Sequence, residues 1–242
     1  MKRHAQVLLL VLTGLGLLHA ALFSDLCLRY VKEGLRPLLI ASGVLLLLLG
    51  LAGAALDRTA PEADAHAHGH DHSTAPRIAW LLFLPALSLL LYAPPALGAY
   101  TAAHANNKAV PKAQRFDPLP ATVPLPMTLT DFTARVQQDG AQAIKGRSIR
   151  MTGFVTPVGQ GGGWYLTRII FTCCAADSQS VKVRMYGTSV LPANTWVAVT
   201  GTWHPEGRLG TKSATAALDV HRTERISPPV NAYTDDLPLT PS

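Results

Sequence analysis

Residues 164–177 read Trp164-Tyr-Leu-Thr-Arg-Ile-Ile-Phe-Thr-Cys-Cys-Ala-Ala-Asp177. The first eight residues are mostly aromatic or β-branched, which is typical of a buried β-strand. This strand leads directly into two adjacent cysteines and an aspartate. Thiols are ligands for soft metal ions and, when exposed, can also exchange electrons. The stretch therefore predicts a β-domain that carries a thiol site.

Short segments with period-two alternation lie on both sides of this stretch. A helix with Phe132 and Val136 on one face is predicted to come first, because Thr130 can cap its start and Gly140 can end it. The predicted strands are Ile149–Val155, Trp164–Phe171, Val181–Tyr186, Trp196–Trp203 and Ala217–His221. Five short strands in under about a hundred residues predict a small OB-like barrel over residues 127–226. A β-sandwich is the main alternative.

The amino-terminal part of the chain has the composition of a membrane anchor. The 242 residues are 48% hydrophobic and only 15% charged, which is ordinary for a membrane protein with an appended domain. Apolar runs at about 5–23, 37–56 and 78–98 each approach the roughly 20 residues that a helix needs to cross the hydrocarbon core. The fold class is therefore predicted as three transmembrane helices in residues 1–103, followed by a small mostly-β, OB-like barrel.

A secretory signal peptide is the alternative reading of the first run, because Met1-Lys-Arg-His4 precedes it. The apolar part exceeds the usual ~7–15 residues, and no small-x-small cleavage site stands out, so a retained span is favoured. Basic residues are nearly balanced between the two sides of the predicted anchor. Keeping the short charged amino terminus inside avoids translocating it, and after three spans this weakly favours a barrel on the extracytoplasmic side.

Two further segments are predicted to be unstructured. Residues 104–126 contain five prolines and little apolar periodicity, which predicts a semi-extended linker. Residues 227–242 are predicted to form a disordered tail.

The loop at residues 57–77, between the second and third runs, contains four alternating histidines. Imidazoles on a flexible loop can bind zinc, nickel or copper in several geometries, and Asp64 and Asp71 could add oxygen ligands. A solvated linker without a ligand is the alternative. The predicted metal-binding residues of this loop are His66, His68, His70 and His72.

Cys173, Cys174 and Asp177 form the second predicted metal site. Adjacent side chains on a regular strand point to opposite faces, so both thiols can reach one ion only if the chain bends. The residues from Ala175 to Ser180 suit such a bend, in which Asp177 would be a hard ligand or the cap of the turn. The alternative is one buried cysteine that only packs and one that is partly exposed.

The remaining histidines of the barrel region give a weaker indication. His204 and His221 are candidate additional ligands, with ordinary surface histidines as the alternative. No third cysteine lies in the predicted barrel, which excludes a closed four-cysteine zinc site within one chain.

Several function classes lack their sequence signals. The chain has no Gly-x-Ser-x-Gly elbow, no His-Glu-x-x-His helix and no phosphate loop with its lysine, so no enzymatic activity is predicted. The net charge of +6 is too small and too evenly spread to indicate a nucleic-acid partner.

Several short motifs along the chain resemble those of one known family. They are Arg29-Tyr-Val-Lys32, Leu35-Arg-Pro37, Ala93-Pro-Pro-Ala-Leu-Gly98, Gly153-Phe-Val155, Tyr165-Leu-Thr-Arg-Ile169, Cys173-Cys-Ala-Ala-Asp177 and Trp196-Val-x-Val-x-Gly201. Together they resemble the YcgQ-like family of bacterial membrane proteins, described as permease subunits. In that family alanine usually follows the Cys-Cys-Ala-Ala-Asp signature, where this chain has Ser178. The resemblance implies a larger multi-span permease as partner.

The resulting hypothesis is an accessory subunit of a membrane permease complex that handles a metal or metalloid ion. It implies a multi-pass protein of the bacterial cell membrane that contacts the lipid bilayer and the permease, and a soft or borderline transition metal such as zinc at the thiols. The alternative is a membrane-tethered thiol redox protein or sensor that uses Cys173 and Cys174.

Overall fold

The computed structural model describes residues 2–24, 26–59, 84, 87, 97–105, 115–158, 163–229 and 232–237. The chain divides into two compact units, Met1–Ala96 and Leu97–Ser242. Each unit is described by itself below.

The first unit contains a helical hairpin. Helix α1 spans Lys2–Leu22 and helix α2 spans Arg36–Thr59, with short 3₁₀ turns at Leu26–Arg29 and Glu33–Leu35 between them. Both helices are long and apolar enough to cross a membrane, by length and composition. The first two predicted apolar spans therefore correspond to helices, whereas the third lies outside the described residues except for Leu84, Leu87, Leu97 and Gly98.

Glycines bring the two helices of the hairpin close together. A Cβ atom added at Gly14 would lie 2.9 Å from the carbonyl oxygen of Gly43, and one at Gly50 would lie 2.8 Å from Val11. These contacts pair early residues of α1 with late residues of α2, so the helices are antiparallel. Close backbone approach through small residues is the usual way in which helices pack without a hydrophobic driving force. The Nε of Arg36 also donates to the carbonyl oxygen of Ala21 at the end of α1, at 2.6 Å.

The second unit is built on a closed β-barrel. Its strands are β1 Leu125–Pro126, β2 Ile149–Pro157, β3 Trp164–Ile170, β4 Gln179–Tyr186, β5 Trp196–Trp203 and β6 Ala217–Arg225. The order is β1-β2-β3-β4-β6-β5, and an additional β2–β5 pairing closes the barrel. β1 adds to β2 in parallel, β4 and β6 are also parallel, and the remaining pairs are antiparallel. The predicted five-stranded barrel is confirmed.

Alternation along the strands fills the barrel. On β4, Val181, Val183 and Met185 are buried in the core, whereas Lys182 and Arg184 between them are half-buried. Fully buried Trp164 and Leu166 join the same core from β3. Because a strand exposes alternate residues to opposite faces, the outer side of β3 and β4 remains available for polar groups.

Two helices accompany the barrel. Helix α3 spans Ala99–His104, and its Ala99 and Ala102 pack with Phe154 and Ile169 in a second apolar cluster. Helix α4 spans Leu129–Gln138 and is capped by Thr128, whose hydroxyl accepts from the backbone N–H of Asp131. The sequence predicted the cap two residues later, at Thr130, because both threonines are suitable caps.

Residues 232–237, here called the C-terminal strap, lie within the segment predicted as a disordered tail and contact the barrel. The ring of Tyr233 stacks on Phe171 at 5.0 Å between centroids. The guanidinium of fully buried Arg168 donates to the carbonyl oxygen of Thr234. The carboxylate of Asp235 accepts from the backbone N–H groups of Leu129 and Thr130, which begin α4. The strap thus joins β3 to α4.

Candidate thiol site

The connection between β3 and β4, residues 172–178, is here called the Cys loop. Its turn is closed by Asp177, whose two carboxylate oxygens accept from the backbone N–H groups of Thr172 at 3.0 Å and Cys173 at 2.9 Å. A single 3₁₀ turn at Ala175–Asp177 follows the extended Cys174. An aspartate carboxylate that accepts from nearby backbone N–H groups stabilises a tight turn. Asp177 therefore caps the turn, and a direct metal contact for it stays a prediction.

The bend brings the two thiols together. The sulfur atoms of Cys173 and Cys174 lie 3.6 Å apart, with the thiol of Cys173 donating to the sulfur of Cys174. Both cysteines are free; Cys173 is exposed and Cys174 is half-buried. The bend that the sequence required for a shared ion is therefore present, and neither thiol is used as a buried packing group.

The charges of the Cys loop favour a protonated thiol. The pKa of Cys173 rises to about 11 because its thiol donates to Cys174, and the hydrogen bond to Asp177 adds to this effect. Burial alone would raise the pKa of Asp177, but the hydrogen bonds from Cys173 and Thr172 outweigh it, so the pKa lies below its ordinary value. The loop consequently holds an ionised carboxylate beside a protonated Cys173 thiol at neutral pH.

The other candidate ligands do not join this loop in the described structure. Nδ1 of His204 lies 2.8 Å from Oδ1 of Asp219, which accepts from it, and the ring of His204 stacks on Tyr186 at 4.1 Å between centroids; His221 is exposed on β6. His66, His68, His70 and His72 lie outside the described residues. Among the residues that the structure describes, no group of three or more His, Cys, Asp or Glu side chains could hold a metal ion. The Cys loop alone offers two sulfur ligands.

The C-terminal strap holds the base of the loop. The backbone N–H of Phe171 donates to the carbonyl oxygen of Tyr233 at 3.4 Å, next to the Phe171–Tyr233 stack. Burial lowers the pKa of nearby Arg168 to about 10, partly offset by Asp235 and Asp236, so this guanidinium is charged at neutral pH. The sequence did not predict that Arg168 and the strap support the Cys loop. A possible sign of an ordered strap was Tyr233-Thr-Asp-Asp236, an aromatic residue and two acids in a proline-rich tail.

Residues 132–234 match the family model of the DUF1980 C-terminal domain. The match begins inside α4, includes β2 to β6 and the Cys loop, and ends at Thr234 within the strap. No curated protein and no solved structure matches the chain. The barrel unit is therefore similar to a named domain family, and that similarity extends to part of the strap.

Proposed function

We propose that this chain is a non-enzymatic accessory subunit of a membrane permease complex, in which Cys173 and Cys174 bind a thiophilic metal or metalloid ion. The observation that supports this most directly is the 3.6 Å separation of two free sulfur atoms on an exposed loop. Chelation by two adjacent thiols requires the chain to bend between them, and the Asp177 turn supplies that bend.

The separation of the sulfurs suits one shared ion. Zinc–sulfur bonds are about 2.3 Å long, so two sulfurs 3.6 Å apart would subtend an angle of roughly 103° at the ion, close to tetrahedral. A linear complex at the same bond length would place the sulfurs about 4.6 Å apart. The geometry thus favours zinc or another ion with bent coordination. The remaining ligands would come from water or the permease partner, which leaves an open position for transfer of the ion.

The raised pKa of Cys173 opposes both ion binding and redox exchange, because both need the thiolate, whereas the neighbouring carboxylate of Asp177 favours only the cation. A thiol with a pKa of about 11 is almost entirely neutral at pH 7, and a neutral thiol is a poor nucleophile in disulfide exchange. A thiophilic ion can displace the proton, and the ionised Asp177 nearby would stabilise the cation. The redox protein or sensor is therefore the second candidate, and the experiment below separates the two.

The proposed location is the bacterial cell membrane, with the barrel on the extracytoplasmic side. Two helices long and apolar enough to span a membrane, with a third apolar run at residues 78–98, support a three-helix anchor in the bacterial cell membrane. The strand order and the parallel β4–β6 pair support assignment as an OB-like barrel. Keeping Lys2 and Arg3 inside favours an extracytoplasmic barrel after three spans. The YcgQ-like motifs support the multi-span permease as partner.

The histidine loop is proposed as a weak collector of ions. His66, His68, His70 and His72 alternate along a flexible-type sequence with Asp64 and Asp71, so they could bind ions in several geometries. In a three-span arrangement this loop and the barrel lie on opposite sides of the bilayer. The loop would then raise the local ion concentration on one side, and the thiols would bind the ion on the other.

A metal titration of the full chain in detergent tests the proposal. Zinc is added under reducing conditions to the wild type, Cys173→Ser and Cys174→Ser, with Cys27→Ser as the control because Cys27 is the third cysteine and lies outside the barrel unit. We expect each loop variant to lose at least about a hundredfold in affinity and the control to bind as the wild type, because one thiol cannot chelate. Replacing the four loop histidines should lower only the weak binding at high zinc.

Equal zinc binding by the wild type and both loop variants would contradict the proposal. If the wild type instead shows no tight zinc site but a reversible Cys173–Cys174 disulfide, the redox candidate replaces it. Co-purification of the chain with a multi-span permease tests the accessory role separately.

A further inference from the structure

A second polar site lies on the β3–β4 hairpin, at the end opposite the Cys loop. Tyr165 of β3 is paired with Arg184 of β4 there, whereas the hairpin closes beyond Ile170 and Gln179. A cavity of about 690 Å³ opens between the outer face of β4, α4 and the segment 206–216. This volume lies within the range of small-molecule sites.

The charges that line this cavity are mainly positive. Its lining includes Lys182, Arg184 and Lys212, with Glu206 as the opposing carboxylate. Among the residues that the structure describes, no ion pair neutralises Lys182 or Lys212. Burial lowers the pKa of Lys182, which shows that part of its hydration has been removed without a carboxylate in exchange. A partly dehydrated ammonium group without an ion-pair partner in a concave, mainly positive site attracts an anion.

Aromatic rings fix the central cation. The guanidinium carbon of Arg184 lies 5.3 Å from the ring centroid of Tyr165 and 5.8 Å from that of Tyr186. Tyr186 is held in turn by His204, whose ring stacks on it at 4.1 Å between centroids. Nδ1 of His204 also contacts Oδ1 of Asp219. A guanidinium placed between two rings loses little freedom when it binds a ligand.

Gly163 makes room for this arrangement. It has φ +87°, and an added Cβ would lie 2.9 Å from the terminal nitrogen of Arg184. Any side chain at this position would therefore displace the guanidinium. The glycine at the start of β3 has a role in shaping the cavity in addition to its role in the turn.

We propose that this cavity binds a phosphate group of a small ligand or of a lipid headgroup. A planar guanidinium with two ammonium groups matches the charge and the several acceptor oxygens of a phosphate, and the two tyrosines of the lining add hydroxyl donors. Glu206, also in the lining, can accept a hydrogen bond from a hydroxyl of the organic part of the ligand. The site uses none of the residues of the Cys loop, so it stands independently of the metal proposal.

Calorimetry on the full chain in a non-ionic detergent tests this site with two probes. One is glycerol 3-phosphate, which represents a soluble phosphate, and the other is monomeric dihexanoylphosphatidylglycerol, which represents a lipid headgroup. The site variants are Arg184→Gln and Lys182→Gln. The matched controls are Arg225→Gln and Lys145→Gln, which remove one exposed cation of the same kind outside the cavity lining.

We expect at least one probe to bind the wild type, and each site variant to weaken that binding at least tenfold, because a charge-assisted contact is lost. The controls should change affinity by less than about twofold, and Cys173→Ser should bind as the wild type. The probe with the tighter site-dependent binding identifies the source of the phosphate. No binding of either probe at millimolar concentration, or equal weakening by controls and site variants, would overturn the proposal. If Arg184→Gln does not fold, the loss of probe affinity in Lys182→Gln relative to Lys145→Gln tests the proposal.

Discussion

Two neighbouring parts of the β3–β4 hairpin are held in place by different kinds of contact. The end of β3, from Arg168 to Phe171, is held by the C-terminal strap, which lies more than 60 residues later in the chain. The Cys loop, which follows immediately, is held by hydrogen bonds from residues four and five positions away. Stability of the barrel should therefore depend on the strap, and thiol chemistry on the loop. The following variants test this separation.

Arg168→Met should have the largest effect, on stability. The variant keeps an apolar stem but leaves the carbonyl oxygen of Thr234 and the acids at 235 and 236 without their buried cation. We expect the free energy of unfolding to fall by about 3 kcal/mol. Urea unfolding of the full chain, followed by tryptophan fluorescence, measures this change. Arg225→Met, on an exposed site, should change it by less than about 0.5 kcal/mol.

Cys174→Ala should have a large effect on thiol chemistry and a small one on stability. It removes the main cause of the raised pKa of Cys173, so that pKa should move from about 11 toward the ordinary 9.0. The pH dependence of Cys173 alkylation, read by mass spectrometry, measures the shift. Cys27→Ala should leave the profile unchanged. If Arg168→Met shifts this pKa as far as Cys174→Ala does, the two regions are not separate.

Asp177→Asn should loosen the Cys loop without unfolding the barrel. The lowered pKa of Asp177 means that its capping bonds are complete above its ordinary pKa of 3.8 and are lost as the pH falls through its folded value. We expect lower amide-exchange protection factors, taken relative to the intrinsic rate at each pH, at Thr172 and Cys173 in the variant at neutral pH, and in the wild type only on acidification. Asp117→Asn, at an exposed carboxylate, is the control. Unchanged exchange in Asp177→Asn would contradict the local model.

Tyr233→Phe should have the smallest effect. It keeps the stack on Phe171 and removes the hydrogen bond from the Tyr233 hydroxyl to the carbonyl oxygen of Leu97, at 3.2 Å. We expect a loss of about 0.5–1 kcal/mol in the free energy of unfolding and no change at the thiols. Tyr100→Phe, at an exposed ring, should be neutral. If Tyr233→Phe lowers the free energy of unfolding as much as Arg168→Met does, the strap stabilises the barrel mainly through Tyr233 and not through Arg168.

The strands and helices follow from local sequence, which explains why most of them could be predicted. Period-two alternation on β4 and the apolar runs of α1 and α2 are properties of consecutive residues, and their elements lie within a few residues of the predicted bounds. β6 extends to Arg225, four residues beyond its predicted end at His221, because pairing with β5 continues past the last apolar residue. Helix α4 starts at Leu129, capped by Thr128 and not by Thr130, and the carboxylate of the distant Asp235 accepts from its first two N–H groups.

The sequence by itself determined that this chain has an apolar amino-terminal part, a small barrel and a pair of adjacent thiols that need a bend to act together. These features depend on neighbouring residues, whose influence does not require the fold. Only the tertiary structure decided that the strap holds Arg168, and that Lys182, Arg184 and Lys212 line one cavity. Those arrangements join residues far apart in the chain, and their pairing is fixed by barrel closure and core packing, which no local pattern encodes.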